Sequence, residues 1–179
     1  MAPEEAGPLR EQEQHRAIGH VGVTELEFLG LPDGRLEYGL PLRRELARAI
    51  RRHQPEVVIT LQFGLAFGGV HRNPADHRGM GMAVLDAVSD AANSWIFRDL
   101  EEPRWAGVRH IAVFADPDPT HLVKVAGSRD ACVAALAEHR EYIRALSDEP
   151  VEEQAARQVA GCLQGDPEDP PLAFRAYAG

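Results

Sequence analysis

Lysine is almost missing from this chain of 179 residues: Lys124 is the single one, so arginine supplies the other basic charge. Against 19 basic residues stand 28 acidic ones, a net charge of -9. Gripping nucleic acid takes a clustered positive field, which this balance excludes. Cys132 and Cys162 are the two cysteines, far apart inside helical patterns. That fits neither a disulfide framework nor a zinc ribbon. No apolar run approaches the roughly 18–20 residues that span a bilayer. The acidic start, Ala2-Pro3-Glu4-Glu5, lacks the basic-then-apolar layout of a signal peptide. These absences make the cytoplasm the expected location. Hydrophobic residues at 44% and charged residues at 26% suit one globular domain over residues 1–179.

Short apolar runs alternate with helical periodicities. Residues 8–18 are polar and helix-prone, with Pro8 suited to a first helical turn. Residues 24–29 alternate and predict a strand, closed by a Pro32-Asp33-Gly34 turn. Leu42, Leu46, Ala49 and Ile50 share one face of a helix over 40–52, which Pro55 ends. The β-branched run over 57–61 predicts a strand buried on both faces. A glycine-rich loop over 62–74 leads into a helix over 75–93. Strands follow over 110–115 and 122–125, then helices over 128–146 and 151–163, and a tail rich in proline and aspartate. This alternation predicts an α/β fold with a mostly parallel sheet flanked by helices. Ligands of such folds bind at loops beyond the carboxyl ends of strands.

Those loops carry the candidate polar residues: His71, Asn73, Asp76 and His77 after residue 61, Asp33 after residue 29. A neutral imidazole is a good zinc ligand, and a neighbouring carboxylate fixes its tautomer. The bland reading gives Asp76 to the dipole of a helix start and His77 to the surface. Asp116, Asp118 and His121 belong to a turn made rigid by Pro117 and Pro119. The glycines at 64, 68 and 69 and at 79 and 81 match no phosphate or dinucleotide fingerprint and read as loop flexibility.

Taken in order, several segments resemble the LmbE/PIG-L family of de-N-acetylases. They are Arg10-Glu11-Gln12-Glu13, residues 28–36, the helix over 42–50, residues 55–60, and Asn73-Pro74-Ala75-Asp76-His77-Arg78 as a variant of a His-Pro-Asp-His-Arg signature. Residues 120–125 and 134–140 are similar to the family's later segments. The resemblance implies a Rossmann-like hydrolase that removes an N-acetyl group from an amino-sugar conjugate with the help of zinc. It implies His77 as a zinc ligand with Asp76 beside it as a catalytic residue, and Asp33 and Arg10 as substrate contacts. His71 or Asn73 would reach towards the place of the signature's first histidine, Asn73 also standing as a substrate contact. An oligomer is compatible with this fold.

Two departures shape the expectation. Pro74 stands where the signature's first histidine falls, three residues before His77. The family's Ala-His-Pro-Asp-Asp segment, source of two metal ligands and the general base, does not occur, and residue 1 corresponds to a point beyond it. The expectation is therefore a domain lacking its first strands, with an unpaired sheet edge and no hydrolysis unaided. The alternative is a non-catalytic relative that binds a small glycoside or a protein partner.

Overall fold

The computed structural model describes residues 2–68, 70–163 and 171–179. Its helices are α1 (Pro3–His20), α2 (Leu40–His53), α3 (Ala75–Ala92), α4 (Arg129–Ala137), α5 (Arg140–Leu146) and α6 (Val151–Cys162). Its strands are β1 (Val57–Leu61), β2 (Ala66–Phe67), β3 (His71–Arg72), β4 (His110–Phe114), β5 (His121–Lys124) and β6 (Pro171–Ala178). They divide into two compact units, Met1–Phe28 with Lys124–Leu172, and Leu29–Val123 with Ala173–Gly179.

The first unit is helical. Pro3 opens α1, where a missing N–H costs nothing, and Glu4 and Glu5 face the positive end of the helix dipole. Its core joins Ala137, Ile143, Val151 and Ala155, with Val133 and Leu136 against them. The sequence predicts one helix over 128–146, and the structure breaks it at Glu138 and His139. The physical reason is Glu13: its buried carboxylate accepts the Glu141 N–H at 2.8 Å and so caps a separate α5.

The second unit sets α2 and α3 against a four-stranded sheet of order β1-β4-β6-β5. Ala47 and Ile50 of α2, Ala87, Val88 and Ala91 of α3, and Ile111 of β4 form the core, with Val58 and Tyr177 packed on it. β1 runs parallel to β4, from Val57 beside His110 to Leu61 beside Phe114. β6 runs antiparallel to β4, so the α/β sheet is mixed. Buried Arg51 secures the end of α3, donating to the carbonyls of Asp90, Ala91, Asn93, Ile96 and Phe97 at 3.0–3.3 Å. Those carbonyls lie at and beyond the helix end, where orphaned acceptors need donors.

Several expectations are corrected. Residues 24–29 form no strand, because no neighbouring strand offers them a ladder among the described residues. β1 forms as predicted but buries one face: it is an edge strand, and Val57, Ile59 and Leu61 stay 49%, 66% and 52% exposed. The loop over 62–74 contains a small hairpin, β2 paired antiparallel with β3. Pro8 lies inside α1, and the tail after α6 supplies β6. Gly79 and Gly81 are helical. A Cβ on Gly81 would come within 2.9 Å of the Leu61 carbonyl, so glycine lets α3 lie directly over the end of β1.

Candidate functional site

The end of β1 opens into a loop held by two buried amides. Gln62, 4% exposed, accepts the Gly64 N–H through Oε1 at 2.7 Å and donates from Nε2 to the Ala66 carbonyl at 3.0 Å. Asn73, 2% exposed, donates from Nδ2 to the carbonyls of Gln62 and Gly64 at 3.1 and 3.0 Å. Its backbone N–H reaches the Leu65 carbonyl at 2.9 Å. The carboxamide nominated for substrate contact is thus engaged in shaping the loop. The exposed ring of His71, in β3, stacks on Phe67 with centroids 5.5 Å apart.

The loop delivers the chain to α3. Asp76 and His77 sit in its first turn, one buried and one exposed. Asp76 turns inward, and its Oδ2 accepts the Gly34 N–H at 3.0 Å. Gly34 belongs to the Pro32–Arg35 turn, closed by Arg35 N–H on the Pro32 carbonyl at 3.3 Å. At φ +75° this position favours glycine. The structure therefore brings Asp33, Asp76 and His77 to one neighbourhood through a single clasp.

Farther along, Tyr38 donates its hydroxyl to Asp86 at 2.5 Å, and Arg43 grips Asp90 through two nitrogens at 2.7 and 2.8 Å. The hydrogen bond to Asp86 is the chief cause that raises the Tyr38 phenol above its ordinary value. Neither Gln62, Tyr38 nor Asp86 is nominated by sequence. The 3-4-3-4 spacing of Asp76, Gly79, Ala83, Asp86 and Asp90 is the signal that could have found the last pairs.

Arg10 lies in the helical unit, its guanidinium 5.0 Å from the centre of the Tyr142 ring. Beyond β4, the Asp118 N–H caps on Asp116 Oδ1 at 2.9 Å, Arg175 pairs with Asp118 at 2.7 Å, and His121 Nδ1 meets Thr120 Oγ1 at 2.9 Å. Among the described residues, no group of three or more His, Cys, Asp or Glu side chains is placed to hold a metal ion. A catalytic zinc site takes three protein ligands and a water. The described side chains therefore do not make such a site by themselves.

An α/β sheet with a loop-borne histidine and a turn docked at a helix start is a fold shared by proteins of many functions. Comparison narrows it. Residues 1–88 match the model of the PIG-L family, GlcNAc-PI de-N-acetylase. A probable N-acetyl-alpha-D-glucosaminyl L-malate deacetylase 2 from Bacillus anthracis is 34% identical over 83 residues, 45% of this chain and 34% of that protein. This chain thus spans about a third of the length of that relative.

Among solved structures, the N,N'-diacetylchitobiose deacetylase from Pyrococcus horikoshii superposes with a TM-score of 0.81 at 18% identity. The match covers 98% of this chain and 65% of that one. A conserved protein from Thermus thermophilus gives 0.69 at 26% identity, over 98% of this chain and 74% of that one. A 4-carboxy-2-hydroxymuconate hydratase from Pseudomonas putida gives 0.71 at 16% identity, over 100% and 75%. Residues 1–88, just under half of the chain, thus resemble the LmbE/PIG-L family, and the fold is shared with solved structures over nearly the whole chain.

Proposed function

We propose that this chain is the amino-sugar-recognising part of a cytoplasmic LmbE-type de-N-acetylase. The observation that carries the reading is the Asp76–Gly34 clasp, which places the Asp33 turn beside the helix start bearing His77. Asp33 would accept hydrogen bonds from sugar hydroxyls, and His77 would direct an imidazole to zinc. Zinc in this family activates water and polarises the amide carbonyl. The described side chains do not complete a zinc ligand set by themselves. The hydratase neighbour shows that the fold alone does not choose the chemistry. The support comes from the family match over residues 1–88 together with the clasp.

A second reading, a relative that binds a glycoside without cleaving it, is favoured by Pro74 in place of the signature histidine. Titration with N-acetylglucosamine and with N,N'-diacetylchitobiose tests both. Binding should fall about 10–100-fold in Asp33→Asn, the loss expected of a hydrogen bond to a charged group, with the melting temperature nearly unchanged. Acetate release that depends on added zinc and disappears in His77→Ala identifies a hydrolase. Binding without acetate release identifies the glycoside binder, and no binding of either sugar rejects both.

A further inference from the structure

We infer that Asp76 is a positioning residue that fixes the Asp33 turn against α3, an inference that rests on the amino-sugar reading of Asp33 and His77. Five positions of α3, Asp76, Gly79, Ala83, Asp86 and Asp90, recur at spacings of three and four and so share one helix face. Four of them engage the incoming segment in sequence order. Asp76 holds the Gly34 N–H at 3.0 Å. At Gly79 the absent side chain leaves room for the Leu36 carbonyl and the Tyr38 nitrogen, which a Cβ would meet at 3.4 and 3.3 Å. Asp86 takes the Tyr38 hydroxyl and Asp90 takes Arg43. Residues 34–43 are strapped along the helix, and Asp76 is the last clasp before the turn.

The competing role for Asp76 is the ordinary one of a carboxylate facing a helix dipole, which needs no Gly34. Its burial to 6% exposure argues for the clasp, because a dipole carboxylate works equally well in water. One residue on, the His77 side chain is exposed. The helix start thus sends one side chain into the fold to hold the sugar-side turn and one outward, and the rigid backbone between them sets their separation.

The test uses the intact isotopically labelled chain, reading the Gly34 amide by NMR exchange and N-acetylglucosamine affinity by titration. In Asp76→Ala, Gly34 exchange should rise and affinity fall, each by about 10–100-fold. Asp76→Asn, which retains an acceptor, should restore part of both, and His77→Ala should leave the Gly34 amide where it is. If Asp76→Ala lowers the melting temperature but leaves the Gly34 amide unchanged, the residue serves the helix alone and the inference is overturned. Should that variant not fold, Asp76→Asn decides: Gly34 amide exchange must rise above the wild-type rate, and an unchanged rate rejects the clasp. A wild type that binds no sugar rejects the amino-sugar reading, while the amide measurements still judge the clasp.

Discussion

Glu13 and Asp76 are both buried carboxylates, one in each unit, and each accepts a backbone N–H from far along the chain. Glu13 reaches Glu141, 128 residues on, and Asp76 reaches Gly34, 42 residues back. Their surroundings differ. Glu13 is 1% exposed, its Oε2 has no hydrogen-bond partner among the described residues, and the His139 Nδ1 lies 4.0 Å from it. Asp76 has an exposed histidine beside it and an exposed turn at the far end of its bond. Both bonds end on exposed residues, but the first joins two helices, and the second docks a turn against a helix start that carries a histidine.

The comparison can be broken most sharply at Glu13. Glu13→Ala should cost about 2–3 kcal/mol, the upper range for a hydrogen bond to a charged group, because the Glu141 N–H loses its acceptor. Urea denaturation measures it, and an unchanged midpoint would show that α5 needs no cap. A smaller effect is expected at the exposed Tyr38. Tyr38→Phe should speed amide exchange over residues 36–38 and leave the Gly34 amide protected, which would confirm that the straps act separately. An equal gain in exchange at both would make them one cooperative unit.

The smallest effect concerns pH in the helical unit. His20 and then Arg16 bond Glu138 and hold its carboxyl below the ordinary glutamate value. Folding therefore gains from the charged form above the ordinary value, and that gain fades as the pH falls through the lowered one. All three groups face solvent, so the acid-side loss should be slight and should shrink with added salt. A loss that salt does not touch would point to a buried carboxylate instead.

Much of this was legible in the sequence, and what escaped has physical causes. Periodicity finds α2, α3 and α6, since each pairs an apolar face with clear stops such as Pro55 and Pro150. It finds β1 and β4 because short β-branched runs allow little else. It fails over 24–29, where alternation exists but no partner strand does, and a strand is defined by its neighbour. It fails at β6, whose Leu172, Phe174 and Ala176 alternate with Ala173, Arg175 and Tyr177 behind a tail that reads as loop. It fails at the α4–α5 break, because the acceptor responsible lies on α1. For the site, the family signature nominates Asp76 and His77 together. Which of them turns inward depends on the docked turn, and residue types at adjacent positions do not encode that.

β6 has a consequence for the order of assembly. It occupies the interior of the sheet, between β4 and β5, yet it is built from residues 171–178. During synthesis β4 and β5 emerge some fifty residues before the strand that must lie between them. Until it arrives, β4 has one neighbour and β5 none in the four-stranded order. The helical unit waits as well, since Glu13 cannot cap α5 until residue 141 has been made. The helical unit closes a loop of 128 residues at Glu13 and Glu141, and β6 pairs with β4 from His110 beside Ala178 to Phe114 beside Phe174, long-range closures that slow folding and lengthen the time that open ladders are exposed. Vectorial synthesis thus leaves the interior of this sheet incomplete until residues 171–178 have been made.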